Sequence, residues 1–107
     1  MKTYLMAGAM LLLSFSSCTN DAVVPASTTE CASLAASFKT DIQPVLVSKC
    51  GSCHSNYTAY SGVSRIVSNG QFQREVITTR NMPPSGSLSS SQLQLMSCWL
   101  NSGAPNN

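Results

Sequence analysis

The stretch Asp41-Ile42-Gln43-Pro44-Val45-Leu46-Val47-Ser48-Lys49-Cys50-Gly51-Ser52-Cys53-His54 decides how the rest of the chain is read. It joins two patterns. Counted from Phe38, the residues Ile42, Val45, Leu46 and Lys49 follow at i+4, i+7, i+8 and i+11, which is one stripe of a helix. Asp41 is the expected N-cap. Pro44 then falls in the first turn, where its missing N–H is harmless. The helix is expected to end around Cys50, where C-x-x-C-H begins.

That five-residue spacing suits covalent haem attachment. Two thiols three positions apart can add to the two vinyl groups along one edge of a porphyrin, and the next imidazole can reach the iron. Cys50 and Cys53 are then the thioether anchors and His54 the proximal ligand. Three other uses of the pattern exist. A redox dithiol would sit beside a βαβ pattern, which this sequence lacks. Half a zinc site would need two further ligands, and Cys31, Cys98 and His54 are the only candidates. A Cys50–Cys53 disulfide would leave His54 incidental.

His54 is the sole histidine, so this chain cannot supply a second imidazole. Methionine is the other common axial partner and raises the potential. Met1, Met6 and Met10 belong to the N-terminal segment, which leaves Met82 and Met96. Met96 lies in a helical pattern and is expected in the core. Met82 lies in Asn81-Met82-Pro83-Pro84-Ser85-Gly86, which is loop sequence, and Pro83 biases it toward extended backbone. Met82 is the expected second ligand. A plain surface residue, with the iron open or water-ligated, is the alternative.

The N-terminus reads as an address. A positive residue, Lys2, precedes the apolar run Leu5 to Leu13, and small residues lead to Cys18. The run is too short for a permanent span. Residues 1–17 resemble a bacterial lipoprotein signal, with Phe15 where that pattern prefers Leu. The resemblance implies lipidation at Cys18 and a chain held at the periplasmic or cell-surface side of a membrane. Ordinary secretion with cleavage nearby is the alternative. Residues 18–36 read as a flexible tether, with the domain over 37–107.

The chain also resembles the small monohaem cytochromes c of bacterial envelopes. The likeness rests on Asp41 to Leu46 running into the C-x-x-C-H motif, on Met82-Pro83-Pro84, Leu88-Ser89, Trp99-Leu100 and Gly103-Ala104-Pro105, and covers roughly residues 38–107. It implies an all-α cytochrome c fold, three to five short helices around one covalently bound haem c. His54 and Met82 would be the axial ligands. The implied activity is electron transfer with redox proteins of the cell envelope. In that fold the last helix crosses the first. Cys31 precedes the first helix and Cys98 lies in the last, so a Cys31–Cys98 disulfide is expected, with two separate thiols as the alternative.

Two more helices are expected around the site. One runs over Tyr60 to Ser68, stopped by Asn69-Gly70, with a further helical turn carrying Phe72, Val76 and Ile77. The last helix has Ser89 as N-cap and Gln92 at N3, which form a capping box, and ends at Gly103. Its apolar face is Leu93, Met96, Trp99 and Leu100. Trp99 is expected in the core, the alternative being an indole N–H aimed at a haem propionate. Tyr57, Tyr60, Arg65, Arg74 and Arg80 are weaker candidates for propionate contacts.

Composition trims the remaining options. At 107 residues there is room for one small domain. Six Lys/Arg against four Asp/Glu make no basic surface, so nucleic acid is not an expected partner. An enzyme or a gas sensor would need an exchangeable iron position. The acids Asp21, Glu30, Asp41 and Glu75 offer little acid–base equipment for catalysis. The expectation is an electron carrier, with a haem sensor or accessory oxidoreductase subunit as the alternative.

Overall fold

Phe38, Ile42 and Leu46 sit four residues apart and are 2%, 0% and 1% exposed. That stripe is the spine about which the other helices close. The computed structural model describes residues 28–84 and 87–107. The expected signal over 1–17 and the lipidation residue Cys18 lie outside them. The described chain is all-α: α1 (Thr28–Cys31), a π-helical turn (Phe38–Ile42), α2 (Gln43–Lys49), a 3-10 turn (Ser55–Thr58), α3 (Tyr60–Ser68), a second π-helical turn (Gln73–Thr78) and α4 (Ser90–Asn101), with no strand among the described residues. No described helix is long and apolar enough to cross a membrane.

Cys31 lies within the short α1 and does not precede the first helix; the helix expected to lead into the cysteine–histidine motif, over residues 38–49, also begins earlier than the local pattern suggests. Its N-cap position is Ser37, not Asp41. The Asp41 carboxylate instead reaches back and accepts the Ser37 N–H at 2.8 Å. The opening N–H groups are capped from the far end of the sequence. Phe38 N–H donates to Asn107 Oδ1 at 2.9 Å, and Lys39 N–H to the Asn107 backbone oxygen at 3.0 Å. Pro44 then falls at the start of α2. Gln43 N–H closes a wide i→i−5 bond to Phe38 O, so the π-helical turn ends just where Pro44 has no N–H to offer.

α3 and α4 follow the expected patterns closely. α3 buries Val63, with Ile66 and Val67 packed beside the core. Gly70 ends it at φ +77°, a conformation other residues rarely adopt. In α4, Ser89 Oγ accepts the Gln92 N–H while Gln92 Oε1 accepts the Ser89 N–H, so both halves of the capping box form. The α4 face of Leu93, Met96 and Trp99 meets Phe38, Phe72, Val76 and Ile77.

Trp99 is fully buried and touches two aromatic rings, Phe38 at 5.8 Å and Phe72 at 6.2 Å between centroids. Its indole N–H donates to Pro105 O at 3.0 Å. Trp99 is thus a core residue with its polar handle satisfied inside the fold, and that N–H is not free for a propionate. Tyr60 packs edge-on against Phe38 and donates its hydroxyl to Ala104 O at 2.8 Å. The C-terminal residues 104–107 therefore fasten α3, α4 and the helix over residues 38–49 together.

Cys31 and Cys98 are joined by a disulfide across a sequence separation of 67. It ties α1 to α4. The segment after residue 28, expected to belong to the tether, is consequently part of the folded chain, and Ala36 is buried in the core.

Candidate functional site

The C-x-x-C-H motif is a tight turn at the end of α2. Cys50 N–H and Gly51 N–H both donate to Leu46 O at 2.9 Å. Cys53 N–H and His54 N–H then fold back onto Cys50 O at 3.2 and 2.8 Å. Gly51 is required sterically. A Cβ there would stand 2.7 Å from Val47 O and 3.0 Å from a Thr58 methyl. The exit of the motif is braced as well, because Gln43 Nε2 donates to Thr58 O at 2.8 Å, tying α2 to the 3-10 turn.

Cys50 and Cys53 are free thiols, not joined to each other. Burial pushes the Cys50 thiol pKa up, which keeps that sulfur protonated at neutral pH. Cys53 is exposed. Among the described residues no three His, Cys, Asp or Glu side chains converge to hold a metal ion, so the further protein ligands of a zinc site are missing from this part of the chain.

His54, Cys50 and Met82 line one cleft of about 170 Å³. Its walls are Leu46, Ile66, Phe72 and Val76, with Tyr57, Gln71 and Glu75 at its polar edge. The structure thus brings Met82 to the same cavity as His54, although 28 positions separate them in sequence. Met96 is buried in the core and takes no part.

Met82 is 40% exposed. Its loop hangs from Glu75. Met82 N–H donates to Glu75 O at 3.2 Å, and Asn81 Nδ2 donates to Glu75 Oε2 at 3.2 Å. The Met82–Pro83 peptide bond is cis. Hydrogen bonds from Arg74 and Asn81 hold the Glu75 carboxyl below the usual range, with the charge of Arg74 adding to the effect. Glu75 is therefore an anion at neutral pH and a poor general acid. Sequence reasoning passed over its role at the cleft. The only hint was its place seven residues before Met82.

The other polar candidates scatter. Tyr57 lines the cleft and stacks on His54, with ring centroids 4.8 Å apart and planes at 21°. Tyr60 is committed to Ala104. Arg74 pairs with Glu75 at 2.9 Å. Arg65 lines a separate polar groove with Asn56 and Ser61, and Arg80 lies beyond Met82 near Pro83 and Leu88.

The donor set suits a c-type haem. An apolar cleft holds an imidazole and a thioether, and two free thiols precede the imidazole at the required spacing. The cleft is narrower than the roughly 300–1,000 Å³ of ordinary cofactor pockets. A macrocycle would need more room than this cleft gives. Comparison with protein-family models, curated proteins and solved structures gives no match.

Proposed function

We propose that this chain is an exported, lipid-anchored monohaem c-type cytochrome that carries electrons between redox proteins of a bacterial envelope. The observation that carries the reading is the shared cleft: His54, Met82 and the free thiol of Cys50 line one apolar cavity, while the free thiol of Cys53 is exposed and is not part of its lining. Cys50 and Cys53 would hold haem c through thioethers, and His54 and Met82 would ligate its iron. Bound there, the haem supplies one-electron Fe(II)/Fe(III) chemistry.

The protein's own contribution is placement and shielding. The turn from α2 presents His54, and the Glu75-supported loop presents Met82. Leu46, Ile66, Phe72 and Val76 keep water from the cleft wall, which favours the less charged state of whatever redox centre it holds. Cys18 would anchor the chain to the membrane by acylation. Its net charge of +2 produces no strong steering field for a partner.

The test is expression with a cytochrome c maturation system. Covalent haem should persist on a denaturing gel and be lost in Cys53→Ser, and the oxidised protein should show the weak long-wavelength band of iron–thioether bonding. A wild-type chain that takes up no haem sinks the proposal. The exposure of Met82 favours one second reading, a sensor or accessory oxidoreductase subunit with an exchangeable sixth ligand. Carbon monoxide binding to the reduced wild type under native conditions would select it.

A further inference from the structure

The stacked pair His54–Tyr57 sits at the mouth of the cleft, and nothing in the motif itself requires it. The tyrosine comes from the 3-10 turn Ser55–Thr58, whose first bond is Tyr57 N–H to His54 O at 2.9 Å. That turn is fixed from three sides. Thr58 Oγ1 donates to Ser55 O at 2.8 Å, Gln43 Nε2 donates to Thr58 O at 2.8 Å, and Gly62 lets α3 lie directly on Asn56. A Cβ at position 62 would stand inside the Asn56 carbonyl, so the approach is as close as backbone allows. The Tyr57 ring is therefore delivered by a rigid turn, while the imidazole it covers belongs to an exposed residue. One face of His54 is supported by Tyr57, and the same tyrosine lines the cleft.

We infer that Tyr57 is a positioning residue that sets the plane of the His54 imidazole before and after it becomes an iron ligand. This rests on the proposed haem site. In the proposed haem site the orientation of the His54 imidazole plane would govern how the iron d-orbitals mix with the porphyrin, so a ring that holds that plane would tune the centre without touching it. An aromatic pair of this kind is worth roughly a two- to tenfold preference for the stacked rotamer. Without it an exposed imidazole samples several rotamers about its ring torsion.

The experiment compares wild type, Tyr57→Phe and Tyr57→Leu in two states. In the haem-free chain, the His54 ring protons should be shifted upfield by the neighbouring ring current in wild type and Tyr57→Phe, and should relax toward free-histidine positions in Tyr57→Leu. In the haem-loaded oxidised chain, the spread of paramagnetically shifted haem methyl resonances, which reports the axial ligand plane, should match wild type in Tyr57→Phe and change in Tyr57→Leu. A Tyr57→Leu protein with wild-type shifts in both states overturns the inference. So does one that loses the stack when haem-free yet keeps the wild-type methyl pattern, because the covalent attachment then sets the plane by itself. If wild type accepts no haem, the functional proposal fails, and the positioning inference fails with it. Loss of the ring-current shift in Tyr57→Leu would then still establish the stack as a feature of the chain.

Discussion

Replacing both Cys31 and Cys98 with alanine should come close to unfolding the protein. The disulfide closes a loop of 67 positions, and the chain-entropy relation gives about 4.4 kcal/mol for that length at 25 °C. A domain the size of the described part, about 80 residues, is stable by about 4–12 kcal/mol in all, so the bond is worth a third of that or more. The core explains the dependence, since its large side chains are confined to one stripe of each helix. Urea unfolding of the oxidised full chain, followed by far-ultraviolet circular dichroism, is the assay. The double variant should lose about 2–4 M in midpoint, or lack a native baseline altogether, and its m-value should rise because the unrestrained chain exposes more surface. Each single variant should fall as far as the double, because either one breaks the bond. A double variant within about 0.5 M of the intact protein refutes the loop-closure argument.

Other substitutions probe the site. Gly62→Ala should cost about 1–3 kcal/mol in urea unfolding, because its Cβ must push α3 off the Asn56 carbonyl, a backbone atom that cannot swing away. In the haem-free chain, Met82→Ala should change stability by less than about 1 kcal/mol, since the side chain is 40% exposed. If the proposed haem is bound, the same variant should keep its covalent attachment, lower the potential and admit carbon monoxide; an unchanged potential would remove Met82 from the ligand set. Protonation of Glu75 should loosen the Met82 loop. Its folded-state pKa is depressed, so the stabilisation is complete above the ordinary glutamate range and is lost as pH falls through the lower folded value. Amide-exchange protection of Met82 should decline over that acid window in wild type and show no such pH step in Glu75→Gln, whose backbone carbonyl still accepts the Met82 N–H.

Local rules read α4 residue by residue, because a capping box, a hydrophobic face and a terminal glycine are all short-range signals. α3 was equally legible from its apolar spacing and Asn69-Gly70. The start of the helix over residues 38–49 was not, because its caps come from Asn107, 69 positions away from Phe38. With that partner invisible, Asp41 looked like the best nearby cap. At the site, the two cysteines and His54 are contiguous and announce themselves by spacing. Met82 was reached by elimination among methionines and by its proline neighbours. Glu75 and Gln71 escaped notice because their nearness to the cleft comes from how the second π-helical turn packs, which no periodicity records.

The disulfide has a mechanical consequence as well. A pull on the chain ahead of Cys31 reaches, besides the backbone that follows, a covalent bond to Cys98 in the last third of α4. Part of the load thus passes directly to α4, the longest described helix, instead of travelling only along the backbone through α2, the cysteine–histidine turn and the Met82 loop. A domain strained at its N-terminal end would carry part of the tension through the Cys31–Cys98 link, whose surroundings share no residue with the lining of the His54–Met82 cleft.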